Sequence, residues 1–188
     1  IDEETIFTSD GLGNLTDFPK SIVIVGAGVI GCEFATIFSN FGCTKVHLID
    51  KGDRILPFED EDIVGVIEKN LESKGVLIHR NSKLIEMKIV NGEVVYMLEY
   101  EDGSKENCQV EKALISVGRV PQYDNLIDQQ IGVEIDERGI HHDLTQTSVS
   151  NIYAVGDITA DMSLVNVGEL EGRYAVERMF GRPHKSLT

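Results

Sequence analysis

The 188-residue sequence has no tryptophan, only four prolines and three cysteines, and no apolar run long enough to span a membrane. Its longest nearly unbroken apolar stretch, residues 22–32, is interrupted by three glycines and falls well short of the roughly 20 residues that a spanning helix needs. Cys32, Cys43 and Cys108 are odd in number and show no C-x-x-C spacing, which favours a reducing compartment over a disulfide framework. We therefore expect a cytoplasmic protein that does not interact with a membrane.

Basic residues are also scarce. Lys and Arg number 17 against 32 Asp and Glu, a net charge of −15, and a field of this sign repels phosphate backbones and anionic lipid heads. We therefore expect no nucleic-acid partner. The five histidines have no Cys or carboxylate partners at ligand spacing, so we expect them to be solvated and expect no metal site. The acidic start, which is not a Met, favours a fragment of a longer protein.

The apolar periodicity predicts an α/β fold. A parallel sheet with helices on its faces is expected because strands and helices alternate: strands at 22–25, 46–50, 76–78 and 113–117, with helices at about 30–41 and 59–73. An antiparallel flap is predicted between the third and fourth strands, because Asn91-Gly92 separates two alternating runs. Residues 1–19 have no periodicity and are predicted to be a connector. Further along, short strands are expected near 132–134 and 138–140, a buried strand at 152–155, and a helix from Leu164 to about Phe180.

A glycine motif follows the first predicted strand and opens the first helix. Its six residues match G-x-G-x-x-G: Gly26, Ala27, Gly28, Val29, Ile30 and Gly31. The first glycine allows the tight turn, the second lets a pyrophosphate approach the backbone, and the third lets the helix pack on the strand. The positive end of the helix dipole then faces the phosphates. A glycine-rich turn without a ligand is the alternative, and the strand-to-helix context favours the dinucleotide site.

Asp50 ends the second predicted strand. At this position a carboxylate accepts hydrogen bonds from the ribose hydroxyls of the adenosine and repels a 2′-phosphate, so NAD(H) is the predicted cofactor. Lys51 and Arg54 are cations close by in sequence, which leaves NADP as the alternative.

Four ordered blocks resemble the flavoprotein pyridine nucleotide-disulfide oxidoreductase family. They are residues 25–35, 53–57, 118–121 and 151–157. The sequence is most similar to the dihydrolipoamide dehydrogenase branch, with the soluble pyridine nucleotide transhydrogenases close behind. The resemblance implies a connector from an FAD domain at 1–19, an NAD(H)-binding Rossmann-like domain at 20–136, and the C-terminal part of the FAD domain at 137–188.

The resemblance also implies further cofactor-binding residues. Glu33 corresponds to an acid near the flavin, and Leu84 and Gly118 correspond to positions that line the nicotinamide nucleotide. An ordinary first-turn acid, favoured by the helix dipole, is the alternative for Glu33, and core or turn roles are the alternatives for Leu84 and Gly118. The FAD-contacting set implied for the last segment is Asp157, Ser163, Leu164, Val165 and Asn166.

The family's reaction centre is missing from these 188 residues. The sequence has no C-x-x-x-x-C and no first flavin glycine motif, so we predict no catalytic residue here and no activity of the chain alone. The predicted function is the NAD(H)-binding portion of an enzyme that passes hydride between NAD(H) and FAD and on to a disulfide. The full-length parent would bind FAD and form a homodimer. A soluble NAD(P) transhydrogenase, or a non-catalytic nucleotide-binding or assembly module, are the alternatives.

Overall fold

The computed structural model describes residues 1–159 and 161–181 of the protein, without the side chain of residue 129. The chain divides into two compact units, Ile1–Gly118 (unit 1) and Arg119–Thr188 (unit 2). The end of the predicted segment 137–188 lies outside the described residues.

Unit 1 contains eight of the described strands and two helices. The strands are β1 (Ile6–Thr8), β2 (Ser21–Val25), β3 (Lys45–Ile49), β4 (Leu77–His79), β5 (Ser82–Val90), β6 (Glu93–Tyr100), β7 (Lys105–Val110) and β8 (Lys112–Ile115), and the helices are α1 (Val29–Phe41) and α2 (Glu61–Ser73). Within the described residues, unit 2 contains β9 (Ile135–Asp136), β10 (Gly139–Ile140), β11 (His142–Asp143), β12 (Gln146–Thr147) and α3 (Val165–Met179).

A five-stranded parallel sheet is the centre of unit 1. Its order is β1-β8-β2-β3-β4, and every pairing within it is parallel. Both faces of the central strands are buried, and Ile22, Val23 and Ile24 are fully inaccessible to solvent. This is why the strand reads as a continuous apolar run rather than an alternating one.

The two faces of the sheet are covered by different layers. Helices α1 and α2 cover one face, where Phe38 and Leu71 pack against Ile24 and Leu48. The antiparallel sheet β5-β6-β7 covers the other face, with its core of Val94, Tyr96, Leu98 and Val110 packed against Val23, Val25 and Ala113. The predicted α/β fold and flap are thus confirmed, and the structure adds that both helices lie on the same face.

Each helix of unit 1 starts and stops for a local reason. The N-cap of helix α1 is Gly28, which has no side chain to accept a hydrogen bond. Its C-cap is Gly42 in the left-handed region with φ 68°, where glycine has no steric penalty. The N-cap of helix α2 is Asp60, whose carboxylate accepts from the backbone N–H groups of Asp62 and Ile63.

Unit 2 has little regular structure before its helix. Two short antiparallel pairs, β9–β10 and β11–β12, precede α3. The backbones of Gly139 and Ile158 lie so close together that a Cβ on Gly139 would be 2.4 Å from the Ile158 carbonyl oxygen. Glycine is therefore required at position 139.

Several sequence expectations are wrong. Residues 1–19 are not wholly irregular, because Ile6–Thr8 pairs with β8 as an edge strand. The predicted strand at 152–155 is reduced to a single bridge between Gln146 and Tyr153; its apolar run is followed by a 3₁₀ turn rather than by a pairing partner. His47 is buried rather than solvated, since the flap covers its side of the sheet.

Candidate functional site

A cavity of about 650 Å³ opens where the parallel strands β2, β3 and β8 end. The carboxyl ends of parallel strands are where open α/β sheets bind ligands, and the volume is within the range of small-molecule sites. Its lining brings together residues that follow three different strands: Gly26 and Gly28 after β2, Asp50 and Lys51 after β3, Ser116 and Gly118 after β8.

Among the described residues, none of the helices has the length and apolar character that a membrane span requires.

The three glycines of the motif differ in what surrounds them. At Gly26, with φ 102°, an added Cβ would lie 2.5 Å from the Ser116 carbonyl oxygen, and at Gly31 it would lie 1.9 Å from the Gly26 carbonyl oxygen. Both glycines are thus required by the packing of the turn. Around Gly28, by contrast, nothing lies within 4 Å of an added Cβ. The protein itself leaves the space beside Gly28 open, as a ligand approaching the backbone there would require.

The start of α1 adds an electrostatic component to this loop. Gly28 caps α1 without a side-chain hydrogen bond, and the first intrahelical bond runs from the Cys32 N–H to the Gly28 carbonyl at 2.9 Å. The N–H groups of the first turn are therefore not satisfied by a capping side chain, and together with the helix dipole they favour an anion. A 13-residue helix with a glycine N-cap beside a cavity suits a pyrophosphate.

Asp50 links the two loops that flank the cavity. One carboxylate oxygen accepts the Ala27 N–H at 2.7 Å, and the other accepts the Gly52 N–H at 2.8 Å. A carboxylate has about four acceptor positions, so each oxygen retains one for a further donor such as a ribose hydroxyl. Ala27 itself does not line the cavity; it is fully buried and contributes its backbone to this bond.

The remaining residues predicted for the NAD(H) site divide between two places. Val29, Ile30, Leu84 and Gly118 line the same cavity as the glycine loop. Glu33 does not, because it faces a separate groove of about 640 Å³ between α1 and α2. Its assignment as a flavin-neighbouring residue stays a prediction.

Sequence reasoning missed several residues of the cavity lining, among them Ser116 and Phe58. The Ser116 hydroxyl lies 3.0 Å from the carbonyl oxygens of both Val25 and Gly26. Its single O–H is shared between them, and this contact joins the end of β8 to the glycine turn. Ser116 lies within the apolar run predicted as the strand 113–117, and a polar residue inside that run was the only available signal. For Phe58, an aromatic in an acidic segment, the sequence offered none.

The residues predicted to contact FAD lie in unit 2. Asp157 is exposed, and so are the four residues at and before the start of α3: Ser163, Leu164, Val165 and Asn166. The turn before Asp157 is held by a 2.7 Å bond from the Gly156 N–H to the Glu171 carboxylate. Asp157 is thus an exposed carboxylate within the 3₁₀ turn Gly156–Thr159, and its contact with FAD stays a prediction.

A chain of hydrogen-bonded polar side chains runs from the buried His47 to the exposed Glu106 on the flap side of the parallel sheet. His47 and His79 stack with ring centroids 5.4 Å apart, and bonds of 3.2, 2.8 and 2.6 Å connect His47, His79, Tyr100 and Glu106 in that order. Because the Tyr100 hydroxyl donates to Glu106, His79 Nδ1–H donates to Tyr100 and His79 Nε2 accepts from His47. Burial lowers the pKa of His47 to about 4 and also lowers the pKa of His79, so both rings are neutral at pH 7.

Neither Cys32 nor Cys108 is activated as a nucleophile. Burial, with a further contribution from Asp50, raises the pKa of the Cys32 thiol to about 12, and burial raises the pKa of Cys108. A thiol rather than a thiolate is a weak nucleophile. Cys32 instead contacts the Ala27 carbonyl from within the core.

The fold and the cavity together define a Rossmann-like α/β unit with a strand–glycine turn–helix at the carboxyl edge of its sheet. Comparison with known families agrees with this class: the model of the pyridine nucleotide-disulphide oxidoreductases matches residues 2–172. The chain belongs to this family.

Relatives from several bacteria show the same similarity. The chain is 35% identical over 187 residues to a dihydrolipoyl dehydrogenase of Bacillus subtilis, covering 98% of this chain and 40% of the relative. It is also 35% identical over 180 residues to a soluble pyridine nucleotide transhydrogenase of Marinomonas, covering 95% and 38%. The chain thus spans about two fifths of the length of these relatives.

Solved structures extend the comparison to the fold. The HOCl-induced flavoprotein disulfide reductase RclA of Escherichia coli superposes with a TM-score of 0.85 at 28% identity, covering 97% of this chain and 41% of that one. LpdA of Mycobacterium tuberculosis gives 0.87 at 28% identity, covering 97% and 39%.

Proposed function

We propose that this chain is the NAD(H)-binding portion of a flavin-dependent oxidoreductase. The single observation that carries the proposal is the space beside Gly28: an added Cβ there meets nothing, although the neighbouring Gly26 and Gly31 are tightly enclosed. This opening lies at the N-terminus of α1 and faces the 650 Å³ cavity. A bound pyrophosphate accounts for the open space beside Gly28, for its position at the N-terminus of α1 and for the cavity that it faces.

The chain's own groups fit such a nucleotide. The unsatisfied N–H groups of the first turn of α1 would bind the phosphates, and the free acceptor positions of Asp50 would bind the adenosine ribose. Bound NADH supplies a hydride at its nicotinamide ring. Gly118 and Ser116, at the end of β8, would border the nicotinamide half, because β8 lies on the opposite side of β2 from β3.

In the full-length parent we propose that hydride passes between NAD(H) and FAD and on to a disulfide; a dihydrolipoyl dehydrogenase is among the similar relatives. The exposed Asp157 and the start of α3 would form the closing part of the FAD site. Catalytic groups would come from segments outside these 188 residues. A cytoplasmic homodimer is the expected form of the parent.

A second candidate is supported by equally similar relatives. The soluble pyridine nucleotide transhydrogenase of Marinomonas matches at the same 35% identity, and such an enzyme would exchange hydride between two nucleotides through the flavin without a disulfide. A C-x-x-x-x-C in the parent would favour the disulfide reductase. A non-catalytic nucleotide-binding module remains the alternative outcome if the parent purifies without flavin.

The variant Gly28→Val tests the proposal. We expect the wild-type chain to bind NADH by isothermal titration calorimetry, and Gly28→Val to show no measurable binding, because its side chain fills the phosphate approach while its Cβ has no protein atom within 4 Å. The melting temperature should stay within about 2 °C of wild type, as for a small surface change.

Gly13→Val is the matched control. Nothing lies within 4 Å of an added Cβ at Gly13 either, and Gly13 does not line the cavity. It should bind NADH like wild type. Equal NADH affinity in Gly28→Val and wild type would exclude this cavity as the nucleotide site.

A further inference from the structure

Phe58 is the most exposed of the large apolar side chains in the described residues, at 98% of its maximum. A single exposed apolar side chain is ordinary in itself. Phe58, however, stands at the edge of the 650 Å³ cavity and contributes to its lining together with Pro57. An aromatic ring that contacts solvent on all sides, beside a site of nucleotide size, has a surface available for a ligand ring.

The backbone that carries Phe58 is fixed to the glycine turn. Leu56 donates its N–H to the Ala27 carbonyl at 2.8 Å, and the Leu56 side chain is buried. Arg54 donates through Nη2 to the Pro57 carbonyl at 2.7 Å. These bonds on both sides of Pro57 hold the segment next to the predicted pyrophosphate position, so little backbone entropy remains to be lost when a ligand covers the ring.

The topology assigns Phe58 to one half of the ligand. The segment that bears it follows β3, as do Asp50 and Lys51, whereas Ser116 and Gly118 follow β8 on the other side of β2. With the ribose of the adenosine at Asp50, the ring that falls on the β3 side is the adenine. The nicotinamide then falls on the β8 side, away from Phe58.

We propose that Phe58 is the adenine-stacking residue of this cavity, a positioning role that rests on the proposed NAD(H) site. Every base has a π-face, and stacking on an aromatic side chain contributes about 1–3 kcal/mol per base by alanine substitution. Phe58 therefore favours any adenine nucleotide and does not discriminate between NADH and NADPH. That discrimination belongs to Asp50.

Calorimetry on three substitutions at this position tests the proposal. Phe58→Ala should raise the Kd for NADH about 5- to 150-fold, which is 1–3 kcal/mol converted at 1.4 kcal/mol per decade. Phe58→Tyr should retain affinity, because it keeps the ring. Phe58→Leu should lose most of it, because it keeps apolar area without a π-face. Since the side chain is exposed, all three should melt like wild type.

Ligands that correspond to the two halves of the nucleotide show which half contacts Phe58. AMP should lose affinity in Phe58→Ala by the same factor as NADH, and reduced nicotinamide mononucleotide should bind wild type and variant equally. Phe180→Ala, which removes another exposed ring in unit 2, is the matched control and should bind NADH like wild type.

Three results would overturn the proposal. NADH affinity unchanged in Phe58→Ala, with wild type binding normally, excludes stacking while leaving the NAD(H) site intact. Loss of mononucleotide but not AMP affinity would place the ring on the nicotinamide side. No NADH binding by wild type refutes the proposed function itself, and the role of Phe58 with it.

Discussion

Replacing Asp50 by Ala should destabilise unit 1 even without a ligand. The carboxylate accepts two backbone bonds of 2.7 and 2.8 Å, from Ala27 and Gly52, and hydrogen bonds to charged groups contribute about 1.5–3 kcal/mol each. The Ala27 amide belongs to a residue that is fully buried, so it would lose its partner without gaining water. Gly52 is partly accessible, and water can replace its partner.

Counting the Ala27 bond in full and discounting the Gly52 bond, we expect a loss of about 3 kcal/mol in the free energy of unfolding. For a chain of this size each kcal/mol corresponds to roughly 2–4 °C, so the melting temperature should fall by about 6–12 °C. Urea unfolding followed by circular dichroism measures the free energy, and differential scanning calorimetry the temperature.

Asp53→Ala is the control, because Asp53 is an exposed carboxylate on the same loop. It should change the free energy of unfolding by no more than about 0.5 kcal/mol. If Asp50→Ala were as stable as Asp53→Ala, the two bonds would contribute nothing, and the role of Asp50 in fixing the glycine loop would be refuted.

Three further outcomes follow from the same geometry. Gly31→Ala should destabilise the fold by several kcal/mol, because its Cβ would lie 1.9 Å from the Gly26 carbonyl oxygen, and a chemical denaturation curve identical to wild type would contradict this. Stability should be greatest above pH 6.5 and fall as the pH decreases toward about 4: His47, with its folded pKa lowered to about 4 from 6.5, binds its proton more readily in the unfolded chain. The free energy of unfolding should fall by about 2–3 kcal/mol over this pH range, and by less in His47→Gln. An equal fall in His47→Gln would assign the pH dependence to other groups. The chain should purify colourless, because Asp157 alone, worth about 1.5–3 kcal/mol as a charged acceptor, cannot offset the cost of ordering FAD; a yellow protein with stoichiometric flavin by absorbance would disprove this.

Local patterns predicted much of unit 1. The 3.6-residue apolar period predicted α1 and α2, and Asn91-Gly92 predicted the hairpin, where both residues have positive φ (54° and 82°) and Val90 pairs with Glu93. In each case the signal lies within a few residues of the structure that it specifies. The glycine motif is only partly of this kind. The packing around Gly31 is local, since the Gly26 carbonyl encloses it, whereas the Ser116 carbonyl that encloses Gly26 lies 90 positions later in the chain.

Contacts between distant parts of the chain could not be predicted in this way. β1 is three residues long and gains its order from pairing with β8, about a hundred residues later in the chain. His47 is buried because the flap covers its face of the sheet, and the sequence of β3 alone does not predict this burial. The bond between Asp50 and the Ala27 N–H joins residues 23 positions apart. The sequence motif therefore predicted a ribose ligand for Asp50 but not the contact by which Asp50 fixes the glycine loop.

The central claim is that NAD(H) binds where β2, β3 and β8 end, and an NMR titration tests it most directly. In 15N-labelled chain, NADH should shift the amide signals of the glycine loop Gly26–Gly31, of Asp50 and Lys51, and of Ser116 to Gly118, with saturation at one equivalent. The flap hairpin at Asn91-Gly92 and helix α3 should stay unshifted. Saturable shifts confined to other residues, or no shifts at millimolar NADH, would contradict the assignment of this cavity.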